Sequence, residues 1–165
     1  MLFCFPIIHP SKVVRHAVVV ATACVFSCSA GAASYRVIGI ADGDTITVLD
    51  DDKRMVKCRL YGIDAPEKHQ AYGAESKASL SEMTFQRIAD IGFSGRDRYG
   101  RSICKVNVDG LDVNREQLFR GMAWMYRRYA GDASYDAAEG AARAAGRGLW
   151  RDSLAVPPWE FRRRD

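Results

Sequence analysis

Thr45-Ile-Thr-Val-Leu49, Asp50-Asp-Asp-Lys53 and Met55-Val-Lys-Cys-Arg-Leu-Tyr61 read as one unit: two alternating stretches around a polar break. Successive side chains of a strand point to opposite faces, so alternation of apolar and polar residues marks a half-buried strand. In the second stretch Val56, Cys58 and Leu60 share one face, and Lys57 and Arg59 share the other. The apolar face goes to a core, which sends Arg59 away from it. The acidic break suits a hairpin connection. An antiparallel pair is therefore the seed of the fold.

Working outward, Tyr35 to Ile40 is rich in β-formers and opens the domain, and Asp42-Gly43-Asp44 is a turn. Gly62 to Pro66 leaves the pair as a loop. Gly73 to Asp90 reads as a helix with Leu80, Met83 and Ile88 inward and Gly92 as its stop. Arg96 to Gly100 is a polar loop, Arg101 to Val108 returns to β character, and Asp109-Gly110 is a hairpin turn. Asn114 reads as the N-cap of a second helix, with Gln117 completing a capping box and Val113 and Leu118 a hydrophobic staple. Tyr135, Ala138, Ala142 and Ala145 fall at helical spacing and define a last helix over 135–145. This order predicts an α+β fold: a five-stranded barrel of the OB type with three α-helices, binding on its face and loops.

The 165 residues suit one domain with a leader. Over 1–33, Lys12 and Arg15 precede an uncharged stretch from Ala17 to Phe26, and Ala30-Gly31-Ala32 follows as a small-residue cleavage site. That is the pattern of a signal peptide, and its apolar run is shorter than the roughly 20 residues a membrane span needs. A single domain is expected over 34–154 and a polar tail over 155–165, with Arg162 to Arg164 solvated. Without Lys12 and Arg15 the basic residues fall from 24 to 22 against 20 acids, and the formal charge from +4 to +2. So weak a net charge excludes a global field, and a polyanion would be met by local arginines such as Arg98, Arg101, Arg127 and Arg128. Of five cysteines, Cys58 and Cys104 stay in the domain. They are expected to be buried separately; a bridge would need Cα atoms within ~7 Å. Cys24 and Cys28 leave open an envelope-anchored reading.

Acids and arginines gather at the joints between these elements. Asp44 and Asp64 close strand ends, Glu67 follows three residues on, and Arg59 and Arg101 belong to strands. Carboxylate oxygens suit a hard cation. Guanidinium forks suit phosphate oxygens, and a further carboxylate can take a proton from water. The spacing of an EF-hand is missing, and His69 stands alone in the domain, which excludes a zinc cluster.

Asp42-Gly-Asp-Thr45, Arg59-Leu-Tyr-Gly-Ile-Asp-Ala-Pro-Glu67 and Asp97-Arg-Tyr-Gly-Arg101, in that order, resemble the staphylococcal nuclease (thermonuclease) family. Asn114 to Tyr129 and Gly148-Leu-Trp150 extend the resemblance over about Tyr35 to Trp150. It implies a calcium-dependent nuclease acting on DNA and RNA and leaving 3′-phosphate ends, which the leader pattern over 1–33 would make secreted or periplasmic. By the same resemblance Asp44, Asp64 and the carbonyl of Ala65 bind Ca²⁺. Glu67 positions or deprotonates water, and Arg59 and Arg101 hold the scissile phosphate. Arg98 and Tyr99 fall where a terminal phosphate is contacted, and Tyr126 or Tyr129 matches a base-stacking tyrosine. A monomer with no protein partner is expected. The alternative is a non-catalytic module of the same fold that binds nucleic acid or protein at the cell envelope.

Overall fold

The computed structural model describes residues 34–126 and 131–164; the leader expected over 1–33, and Arg127, Arg128 and Tyr129, lie outside the described residues. Eight strands follow in chain order: β1 Ser34–Ile40, β2 Thr45–Leu49, β3 Met55–Leu60, β4 Ile63–Asp64, β5 Ile88–Arg96, β6 Ser102–Val108, β7 Leu111–Asp112 and β8 Trp124–Met125. The helices are α1 Gly73–Thr84, α2 Val113–Phe119, α3 Ala133–Ala144 and α4 Pro158–Phe161, with a 3₁₀ turn over Gly148–Arg151.

The expected seed hairpin forms, with Thr45 opposite Arg59 and Leu49 opposite Met55. Five strands run in the order β3-β2-β1-β5-β6, and β3 pairs with β6 in parallel, so the sheet closes into the expected barrel. Closure removes free edges and sets Leu60 beside Cys104. Val37, Ile46, Val48, Leu60, Leu80, Val106 and Leu118 are fully buried in its core. Each such side chain contributes about 1.5–3 kcal/mol relative to exposure.

The structure corrects four expectations. The helix expected over 73–90 stops at Thr84, because Phe85 is extended and Gln86 takes a positive φ of 60°. From Ile88 the chain is strand β5: Ala89 and Ile91 point inward, and Ile88, expected inside a helix, is 51% exposed. Second, Asp112 and not Asn114 caps α2, accepting the Arg115 N–H at 2.9 Å. Asn114 is instead fully buried; its amide donates to the carbonyls of Tyr61 and Cys104, and its oxygen accepts from the Val106 N–H. Third, Cys58 and Cys104 are not buried singly but joined as a disulfide, with Cα atoms 5.6 Å apart. Parallel contact of β3 with β6 creates that proximity, and no local pattern announces it. Fourth, the tail is not wholly solvated: Pro158–Phe161 forms the fourth helix, Pro158 is buried, and Arg162 points its guanidinium at acids of the domain.

Candidate active site

The site begins where β2 and β3 start to pair. The Leu60 N–H donates to the Asp44 carbonyl at 2.8 Å, fixing Asp44 at the mouth of the hairpin. Gly43 fits there because a Cβ would run into Ser76 Oγ and the Ala65 Cβ. Buried Gln117 donates to the Gly43 carbonyl at 2.8 Å and the Ser76 carbonyl at 3.1 Å, tying the turn to α1 and α2. The Asp44 carboxylate accepts the Ala65 N–H at 2.7 Å and the Thr45 hydroxyl at 3.0 Å. Pairing of β4 with β8 sets Asp64 opposite Trp124, and Asp64 is 1% exposed.

Arg59 joins the two acids. Its Nη2 lies 2.8 Å from Asp64 Oδ1 and 3.1 Å from Asp44 Oδ2, and its Nη1 donates to the Ile63 carbonyl at 2.8 Å. Burial nevertheless pushes the Asp44 carboxyl up to about 7; neighbouring Asp42 and Asp64 add to the rise while Arg59 and the Ala65 N–H oppose it. Burial and the neighbouring acids thus outweigh the compensation that Arg59 and the Ala65 N–H supply.

Arg101 is held from the other side. Asp97 accepts the N–H groups of Tyr99 and Arg101 at 2.9 and 3.0 Å and takes Arg101 Nε at 2.7 Å. Gly100 completes this turn with a φ of 78°. Although burial works against it, bonding to Arg101 and to the backbone holds the Asp97 carboxyl below its ordinary value. Because Nε is occupied, the two Nη groups of Arg101 remain as donors for a ligand. Tyr99 is 68% exposed, with the guanidinium of Arg98 4.7 Å and that of Arg101 5.5 Å from its ring centre.

Asp44, Arg59, Asp64, Ala65, Glu67, Arg98, Tyr99, Arg101 and Tyr126 all line one cavity of about 740 Å³. Tyr126 enters it because its N–H donates to the Gly62 carbonyl at 2.8 Å. Tyr129 lies outside the described residues. Among the described residues no three His, Cys, Asp or Glu side chains gather as a metal cluster. The carboxylates of Asp44 and Asp64 do meet on one Arg59 nitrogen. Such an all-oxygen set fits a hard cation whose remaining ligands are carbonyl, water and phosphate oxygens.

Sequence reasoning missed Arg162. Its Nη2 lies 2.7 Å from Asp64 Oδ2, and its Nη1 lies 2.6 Å from Glu67 Oε1 and 3.2 Å from Asp64 Oδ1. Hydrogen bonding to Asp64 raises its pKa. The signal available was Pro158-Trp-Glu-Phe161, a short helical stretch with Pro at its start before the arginine run. It also read Asn114 and Gln117 as a capping box, whereas both are buried amides that brace the loops around the site.

Residues 57–152 match the family model described as staphylococcal nuclease homologue. The chain is 40% identical over 139 residues to an uncharacterized endonuclease of Haemophilus influenzae, an alignment covering 84% of this chain and 78% of that protein. An uncharacterized endonuclease of Escherichia coli is 40% identical over 130 residues, covering 78% of this chain and 84% of its own. A micrococcal nuclease of Shigella flexneri is 37% identical over 139 residues, covering 78% of this chain and 79% of that protein.

Proposed function

The chain belongs to the staphylococcal nuclease family and is a nuclease, and on that premise we propose that it hydrolyses DNA and RNA with Ca²⁺ at the cavity of Asp44, Arg59, Asp64, Glu67 and Arg101. The observation that carries this reading is convergence. Two arginines and three acids from separate joints of the barrel line one cavity.

Asp44, Asp64 and the Ala65 carbonyl would hold the ion. When bound, Ca²⁺ supplies positive charge beside the phosphate and a place for water. Glu67 accepts a proton as the water oxygen bonds to phosphorus. The bond from phosphorus to the 5′ oxygen breaks, that oxygen is protonated from solvent, and a 3′-phosphate end remains. Arg59 and Arg101 donate to the phosphate oxygens on which charge develops. A guanidinium with a pKa above ~12 is a poor proton donor, so both serve as fixed cations. Arg98 and Tyr99 contact a terminal phosphate. Tyr126 or Tyr129 stacks on a base, worth about 1–3 kcal/mol.

The same reading places the enzyme outside the cytoplasm, working as a monomer. The leader pattern over 1–33 supports export, and so does the Cys58–Cys104 bridge, since disulfides persist in oxidising compartments. Among the described residues no helix is long and apolar enough to cross a membrane.

Hydrolysis of DNA and RNA measured in Ca²⁺ and in EDTA tests the proposal, with Glu67→Gln beside the parent. Activity should vanish in EDTA. Glu67→Gln should lower kcat, retain substrate affinity and flatten the acid limb of the pH profile. Full activity in EDTA removes the cation from the reading, and a parental kcat in Glu67→Gln removes the base.

A further inference from the structure

The segment after the 3₁₀ turn returns across the mouth of the cavity as a strap. Gln70 on the domain donates its side-chain amide to the Val156 carbonyl, and Pro158 is buried. The Trp159 ring lies against Tyr126, with centroids 6.2 Å apart and planes inclined by 46°. One turn further on, Arg162 reaches Asp64 through two nitrogens and Glu67 through one. The strap thus covers two different parts of the site at once, the acids and an aromatic ring.

Charge and valence make the first of these contacts exclusive. Asp64 Oδ1 already accepts from Arg59 at 2.8 Å, and Arg162 engages Oδ1 and Oδ2 together. A carboxylate offers about four lone-pair positions, and three are filled here. A divalent ion brought to the same buried carboxylate would also repel the Arg162 guanidinium at close range. Arg59 is tied by Nη1 to the backbone carbonyls of Leu60 and Ile63 and cannot leave. Arg162 is 45% exposed at the end of a four-residue helix and has no such tie.

We propose that the strap Val156–Arg164 is a self-inhibitory plug: Arg162 occupies the cation's place at Asp64 and Trp159 occupies a base's place on Tyr126, so that the cation displaces the first contact and the nucleic-acid strand the second. This rests on the reading of Asp64 as a cation ligand. The resting enzyme keeps Asp64 and Glu67 paired with an arginine of its own strap, and loading requires the strap to move. A plug of this kind suppresses hydrolysis wherever Ca²⁺ is scarce.

Two measurements on the full chain test this without relying on turnover. Calorimetric titration with Ca²⁺ should give Arg162→Gln a Kd at least tenfold tighter than the parent, with Arg162→Lys in between. Amide hydrogen exchange over 157–164 in the unsubstituted protein should quicken when Ca²⁺ is added, which needs no variant to fold. A strap that merely staples the fold predicts the reverse, lower stability in Arg162→Gln with no gain in cation affinity. Equal Kd values with unchanged exchange overturn the plug and leave the cation site standing. If Ca²⁺ binds neither protein, the cation site and the plug fall together.

Discussion

Arg59→Gln is the substitution whose stability cost the structure states most directly. The parent side chain is 14% exposed and bonds two nearly inaccessible carboxylates, Asp44 at 7% and Asp64 at 2% side-chain exposure. It also donates to the carbonyls of Leu60 and Ile63. Removing one partner of a buried ion pair costs ~3–5 kcal/mol, because the other charge is left uncompensated. Asp64 keeps Arg162, so Asp44 bears most of the loss and the lower end, ~3 kcal/mol, is expected. At roughly 3–5 °C per kcal/mol for a domain of this size, Tm should fall on the order of 10 °C. Thermal and urea unfolding at about pH 9, above the raised Asp44 value of about 7, measure it in EDTA with Asp44 ionised and the site free of cation. Arg59→Lys keeps a charge but loses the fork and should fall between. Lys57→Gln, an exposed position two residues earlier on the same strand, should stay within about 0.5 kcal/mol of the parent. An Arg59→Gln protein within about 1 kcal/mol of the parent would refute the view that this guanidinium holds the acids in place.

Arg101→Lys should lose about 10²–10³ in kcat, nearly as much as Arg101→Ala, since Lys cannot keep both the Asp97 contact and a phosphate fork; steady-state kinetics at saturating substrate decide this. Asp97 is the acid whose pKa is lowered by folding, so its contribution to stability is present above its unfolded value of ~3.9 and is lost as pH falls through the folded one. Melting curves between about pH 3 and 6 should therefore show Asp97→Asn less acid-sensitive than the parent; parallel curves contradict the shift. Reduction of Cys58–Cys104 opens a cross-link over 46 residues and should cost about 4 kcal/mol by loop entropy, read from urea unfolding with and without reductant.

What was legible in the sequence was local or periodic. Alternation over Thr45–Leu49 and Met55–Leu60 places the hairpin and predicts which way Arg59 points. Turn chemistry places Asp109-Gly110, where both residues take positive φ, 52° and 83°. Nine of the ten expected site residues line one cavity because their motifs sit at strand ends that closure of the barrel brings together. What was not legible depends on distant partners. Ile88-Ala-Asp-Ile91 carries a period of two, yet it follows a helical run without Pro, and only pairing with β1 and β6 selects the strand. Asn114 looks like a cap until the Tyr61 and Cys104 carbonyls claim its amide. Nothing local distinguishes Arg162 from Arg163; three-dimensional proximity to Asp64, 98 residues away in sequence, does so.

End-group analysis of DNA and RNA digested in defined Ca²⁺, by the parent and by Asp44→Ala, is the most direct test of the cavity as a calcium-dependent phosphodiesterase site. The parent should release fragments ending in 3′-phosphate from both polymers, and Asp44→Ala should release none while still binding them. Fragments ending in 3′-hydroxyl, or undiminished cleavage by Asp44→Ala, would contradict it.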